Sequence, residues 1–397
     1  MRLSPVVRLC VTLLLATPTL IACDGDKPTA HPDEDDDELG EGKLDGRGPG
    51  GIGSVTGGMS DADPKVVEAE ALLAEGKVER ALAAIDEAIA QDPNRARFHY
   101  VRGNALSHLD RDAEARAAYE QAIALDDTDA LPHAALGNLI AFQANATLAD
   151  REESIPHYQA ALKLDPRLAP AHQALGIVLL SLGRLQAAVE ALETAERLEP
   201  NAETAYGLAQ AHAKLGNDDE AIAHARGALE YEPGASGVDM RLLYARLLQK
   251  SNQPKDAARE YEQAAKLVPD SPLVRFEVAR GLLELGDPDA AMVHMKWLLE
   301  AVPGEAPVWV NYGRILIAQG EAKEAVAQFD KALELEPTSQ AAQTYKVEAL
   351  VAAKRCKDAR AQLDALAGQL GWDKRSGEPM PRAVARAQGF LDAGKCK

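Results

Sequence analysis

From about Ala62 to Trp372 the chain alternates apolar and polar stretches on one steady beat. Within each stretch the apolar residues fall three and four places apart, the spacing of one face of an α-helix. Ala and Leu supply most of them and β-branched clusters are few, which favours helices over strands. The beat is a pair of helices. A small residue opens each second helix at Ala81, Ala115, Ser154, Ala188, Ala221, Ala257, Ala291, Ala325 and Ala359, and 34 residues is the commonest interval. Another small residue recurs twelve places earlier, as in Ala69, Gly103, Gly176, Ala209, Ala245, Ala279 and Gly313. A proline closes most units: Pro93, Pro166, Pro200, Pro233, Pro269, Pro303 and Pro337. Small residues let two helices approach closely, and proline stops the second helix and starts the next unit. A fixed period of this size predicts a solenoid whose neighbouring units bury each other's faces.

The stretch "EAPVWVNYGRILIAQGEAKEAVAQFDKALELEP" holds Trp309, Tyr312, Gly313, Leu316, Gly320, Ala325, Phe329, Ala332 and Pro337. With this pattern the units resemble tetratricopeptide repeats, about nine of them between Ala62 and Trp372. The resemblance implies an all-α fold, a right-handed superhelical solenoid of helix-turn-helix units. Departures are local: an insertion around "QANATLAD" in the third unit, Asp127 in place of proline in the second, and no closing proline in the ninth. The tail from Pro379, "PMPRAVARAQGFLDAGKCK", reads as a final helix capping the open end of the array.

The N-terminus reads as a targeting segment. Arg2 and Arg8 precede the apolar run "LCVTLLLATPTLIAC", which is too short for a spanning helix. Leu20-Ile21-Ala22-Cys23 resembles a bacterial lipobox, implying cleavage before Cys23 and acylation of its thiol. From Asp24 to Arg47 there are ten acidic and three basic residues, followed by a glycine-rich stretch to Gly58. Such a composition cannot bury a core and is expected to be a disordered tether. The expected domain plan is therefore a signal peptide at 1–22, lipidated cysteine and tether at 23–61, repeats at 62–373 and a capping helix at 374–397. "DEDDDE" lacks the spacing and glycine of a calcium loop, and "GGIGSVTGG" lacks the lysine of a phosphate loop. Asn145-Ala146-Thr147 is formally a glycosylation acceptor, but a lipobox implies a bacterium.

Composition narrows the class of function. The net charge is −19, from 43 basic and 62 acidic residues, which disfavours nucleic acid as a ligand. No H-E-x-x-H, G-x-S-x-G or C-x-x-C occurs, so no enzyme, metal or cofactor is expected. His99, His133 and His172 share the fourth position of their first helices and read as packing substitutes. With Cys23 acylated, Cys356 and Cys396 remain either as two free thiols or, as export favours, as a disulfide. Cys356 falls in the expected turn between the helices of the ninth unit.

In arrays of this family the first helix of each unit lines a concave groove, with its fifth and ninth positions projecting inward. Here the ninth is Asn104, Asn138, Gln210, then Arg246, Arg280 and Arg314. The three arginines either fork onto a carboxylate or acidic peptide, or pair internally with Asp239, Glu277 and Glu284. Tyr100, Tyr206 and Phe276 at the fifth position are candidate anchors for apolar side chains. The family's chaperone-type carboxylate clamp is not matched, because Val66, Tyr100 or Ala134 stands where it needs a basic residue. The expected function is a lipid-anchored adaptor facing the periplasm or cell exterior. It would bind a segment of another envelope protein and support a pilus, secretion, motility or cell-wall machine. The alternative is a polysaccharide export or assembly component. With aromatics at 4%, a sugar platform is disfavoured.

Overall fold

In the computed structural model the described residues are 63–373 and 379–396; the segments read as a lipobox and an acidic tether, Cys23 among them, lie outside the described residues. Nineteen α-helices and one 3-10 turn, and no strand, occur among the described residues. The chain divides into two compact units at Pro233–Gly234.

The first unit pairs α1 (Pro64–Ala74) with α2 (Val78–Gln91), α3 (Ala96–His108) with α4 (Asp112–Leu125), and α5 (Ala130–Phe142) with α6 (Leu148–Leu164). It continues with α7 (Ala169–Ser181) on α8 (Leu185–Leu198) and α9 (Ala202–Leu215) on α10 (Asp218–Tyr231). The second unit begins with a 3-10 turn at Ala235–Gly237. It pairs α11 (Val238–Lys250) with α12 (Pro254–Leu267), α13 (Pro272–Glu284) with α14 (Pro288–Ala301), α15 (Ala306–Ala318) with α16 (Ala322–Leu335), and α17 (Gln340–Ala352) with α18 (Cys356–Gln369). Helix α19 (Arg382–Ala393) packs on α17 and α18.

Every pair but the third is a hairpin whose turn holds one residue in the left-handed region. Gly320 supplies it between α15 and α16 with φ 87°, and Lys354 is forced into the same region one unit later with φ 59°. Within a hairpin the helices close over a small residue. At Gly313 an added Cβ would lie 2.6 Å from the Phe329 ring, so α15 and α16 could not approach with any side chain there. Gly103 meets Tyr119 in the same way in the first unit. Within each unit a second helix packs on the first helix that follows it, and successive first helices also touch one another. In the third pair the insertion ends in a capping box on α6. The Thr147 hydroxyl accepts from the Asp150 amide at 3.3 Å and the Asp150 carboxylate accepts from the Thr147 amide at 2.7 Å.

Cys356 and Cys396 are joined by a disulfide with their Cα atoms 5.2 Å apart. Cys356 is the first residue of α18, one place beyond the turn to which the spacing assigned it, because Arg355 takes the N-cap position. The bridge ties the beginning of α18 to the end of α19.

Candidate functional site: the first-helix face of the second unit

Helices α11, α13, α15 and α17 share a register, and their ninth residues are Arg246, Arg280, Arg314 and Glu348. The sixth residues, one turn earlier on the same face, are Leu243, Glu277, Asn311 and Tyr345. This juxtaposition determines what each arginine meets. Glu277 is 8% exposed and accepts a hydrogen bond from Arg280 Nη2 at 2.6 Å, while Arg246 Nη1 lies 4.0 Å away. One buried carboxylate therefore serves two guanidiniums. Arg246 Nε is itself buried without a hydrogen-bond partner. Arg314 Nη1 donates to Asn311 Oδ1 at 2.8 Å, and its guanidinium stands 4.9 Å from the centroid of the Tyr345 ring. Glu284 accepts from Gln249 Nε2 at 3.1 Å, and Gln249 in turn accepts from the Tyr261 hydroxyl at 3.1 Å. Burial raises the pKa of that phenol, opposed by Arg246.

The ladder is thus partly paired internally. Of the expected internal partners, Glu277 is engaged by Arg280 and near Arg246, and Glu284 is engaged by Gln249. The three side chains remain partly exposed, and Arg314 has an amide and a ring in place of a carboxylate.

Continuing the register one unit further brings Glu348, which the sequence reading did not single out. Burial raises its pKa, partly offset by the positive charges of Arg386 and Arg314. Arg386, on α19, stands 4.7 Å from the centroid of the same Tyr345 ring. Glu348 was within reach of the sequence, because it lies 34 residues after Arg314. Arg386 was not, because α19 belongs to no repeat and carries no register.

Two of the aromatic candidates are corrected by burial. Tyr100 is 4% exposed and Phe276 is 3% exposed, both packed in the cores of their units. The fifth position of these helices faces inward between neighbouring helices, so neither ring is open to a bound segment. Tyr206 is half-buried. Asn104 and Asn138, in the first unit, accept hydrogen bonds from the buried hydroxyls of Tyr119 at 2.9 Å and Tyr158 at 2.8 Å. Their placement satisfies phenols that burial would otherwise leave unpaired.

The fourth position has a use that sequence reading missed. His99 Nε2 lies 2.8 Å from the Pro93 carbonyl, and His172 Nε2 lies 3.0 Å from that of Pro166. Trp309 Nε1 donates to Pro303 O at 2.8 Å, Arg275 Nε to Pro269 O at 2.5 Å, and Gln343 Nε2 to Pro337 O at 3.1 Å. Five side chains of four chemical kinds therefore meet the carbonyl of the residue six places back. Where Asp127 replaces the proline, His133 Nδ1 is buried without a partner, and burial lowers the pKa of that imidazole. These histidines are structural. No cluster of metal-ligating side chains occurs among the described residues.

Paired helices on one register, stacked through small residues, define a class of protein: an all-α repeat scaffold. Sequence profiles of the tetratricopeptide repeat match residues 66–130 and 173–236 in one form and 282–330 and 316–371 in another, together more than half the chain. The chain belongs to the tetratricopeptide repeat family. It is similar to anaphase-promoting complex subunit 3 of Schizosaccharomyces pombe, 30% identical over 131 residues, which is 33% of this chain and 19% of that protein. It is also similar to the human protein O-mannosyl-transferase TMTC1, 29% identical over 182 residues, 43% of this chain and 20% of that one. The chain spans about a fifth of the length of these curated relatives. Among solved structures it resembles PilW, described as a widely conserved type IV pilus biogenesis factor. That likeness has 19% identity and a TM-score of 0.47, over 53% of this chain and 96% of PilW.

Proposed function

We propose that this chain is an adaptor without chemistry of its own. It holds a segment of another protein against the first-helix face of the second unit, and a lipid on Cys23 attaches it to a bacterial envelope membrane. The observation that carries the reading is the row Arg246, Arg280 and Arg314. Two of the three cations share one buried carboxylate, Arg314 has only an amide oxygen and a ring, and all three are partly exposed. Guanidiniums in that state keep forked donors available to an acidic or carbonyl-rich segment. Family membership supports a protein partner, since a stack of repeats presents an extended binding surface. The burial of Tyr100 and Phe276 argues against a sugar platform at those positions. Assembly of an envelope machine, whether pilus, secretion, motility or cell wall, is the setting this reading favours, with the protein facing the periplasm or cell exterior.

Affinity capture from solubilised envelopes tests the adaptor. A partner retained by the wild type and lost from Arg246→Ala/Arg280→Ala/Arg314→Ala, with melting unchanged, supports it. A partner that survives the triple substitution contradicts it. In the same cells Cys23→Ser should abolish fatty-acid labelling and release the protein from membranes; continued labelling would remove the anchor from the account.

A further inference from the structure

The Cys356–Cys396 bridge lies at the surface of the second unit. Both cysteines are partly exposed, and Arg355, Lys357, Gly394 and Lys395 beside them are exposed, so a thiol of another molecule has a path to the sulfurs. Cys356 is the first residue of α18, where the free amides and the dipole of the helix favour negative charge. Lys354, Arg355 and Lys357 flank it, and Lys395 precedes Cys396. The acid in the first turn of α18, Asp358, accepts from Arg355 Nε at 2.7 Å, so its charge is answered locally. These surroundings make Cys356 the better departing thiolate, and a bridge opens faster when the leaving sulfur is the better anion.

What the bridge holds lies outside the repeats. Helix α19 buries one stripe, Val384, Ala387 and Leu391, where it packs on α17 and α18. Its last turn is laid closely on α17: Val351 leaves no room for a side chain at Gly394. Lys395 there has φ 54°, a left-handed conformation that a lysine seldom adopts, and the Cys396 amide donates to Leu391 O at 3.0 Å. Helix α19 also brings Arg386 to 4.7 Å from the centroid of the Tyr345 ring. Arg386 thereby forms one wall of a cavity of about 280 Å³ that Leu283, Arg314, Ile317, Tyr345 and Glu348 complete.

We propose that Cys356–Cys396 is a thiol–disulfide exchange site and that its opening by a dithiol donor unlatches α19 from the end of the second unit. One donor thiolate attacks Cys396 Sγ; a donor–Cys396 bond forms, the Cys356–Cys396 bond breaks, and the electron pair leaves on Cys356 Sγ. The donor's second thiolate then attacks the donor sulfur and releases Cys396. The donor ends as a disulfide, and its two protons end on Cys356 and Cys396. The reverse exchange with that disulfide closes the bridge again. In the open form the turn at Lys395 relaxes, α19 loosens, and Arg386 withdraws from Tyr345, so the cavity loses a wall.

The full chain, without denaturant, is exposed to reduced dithiothreitol, quenched in acid and alkylated, and each cysteine is read separately by peptide mass spectrometry. Cys356 and Cys396 should become alkylated together within minutes. Hydrogen exchange should rise in α19 and around Tyr345, leave the first unit unaltered, and fall back when oxidised dithiothreitol is supplied. Lys357→Gln, an exposed position, should slow opening about twofold to fivefold, the factor expected of one charge at a helix N-terminus. Cys356→Ser/Cys396→Ser should show the exchange pattern of the reduced chain from the start and ignore the reductant, which separates unlatching from damage by dithiothreitol. A bridge that opens only in denaturant, or one whose opening leaves exchange in α19 unchanged, overturns the proposal. An opening rate indifferent to Lys357→Gln overturns the assignment of Cys356 as the departing sulfur.

Discussion

A single hydrogen atom at position 313 sets the spacing of α15 and α16. A Cβ there would stand 2.6 Å from the Phe329 ring, and Phe329 is fully buried, so the ring has nowhere to move. Gly313→Ala should therefore destabilise the second unit by about 1–3 kcal/mol, the usual penalty for overpacking. Gly227, in α10, has nothing within 4 Å of the corresponding point. Gly227→Ala should be neutral or stabilising by up to about 1 kcal/mol through helix propensity. Thermal melting of the two variants separates packing from propensity, and equal shifts of one sign would refute the close-approach argument. The recurrent small residue was visible in the sequence because seven of the nine units repeat it at one place. Its counterpart, the large side chain that needs the space, changes identity among Tyr119, Tyr158, Leu192 and Phe329, so the pairing appears only in three dimensions.

At the scale of the helix, the same asymmetry explains what could be read in advance. Helix limits followed from apolar spacing and closing prolines, since both act through local backbone geometry. The contacts of the fourth position did not, because histidine, tryptophan, arginine and glutamine share a donor nitrogen and little else. The fifth position was misjudged for a related reason: a position number gives the direction of a side chain, while neighbouring helices decide whether it is covered. Helix α19 depends on more than packing. Its disulfide closes a sequence separation of 40 residues, and such a cross-link commonly contributes about 2–4 kcal/mol, mainly by restricting the unfolded chain. Cys396→Ser should lower the melting temperature and speed hydrogen exchange in α19 and α18, leaving exchange in the first unit unaltered. Unchanged exchange in α19 would show that its packing on α17 and α18 suffices alone.

For the whole molecule, acidity and burial combine into a pH dependence. Glu203 and Glu348 both have pKa values raised by burial, Glu203 being opposed by a hydrogen bond from Gln173 and Glu348 by its neighbouring guanidiniums. Below the ordinary glutamate value of 4.5 both groups are protonated in folded and unfolded chains alike. As pH rises through that value the unfolded chain ionises first, so each group withdraws stability until the folded pKa is passed. Glu348→Gln should remove its share of this loss. The gain in melting temperature over wild type should be small at pH 4 and larger at pH 7. A gain that shrinks with rising pH would mean that the guanidiniums, and not burial, dominate at this carboxyl.

The reading of the molecule depends on which surface holds a partner. A photo-crosslinking residue placed at Ile317, on α15, probes the first-helix face, and one at Lys331, on the outward helix α16, serves as the control. Illumination of intact cells should yield a discrete protein adduct from position 317, none from 331, and none from 317 once Arg280→Ala and Arg314→Ala are added. An adduct from 331 alone, or one from 317 that ignores the arginines, would contradict the account and place the binding surface elsewhere.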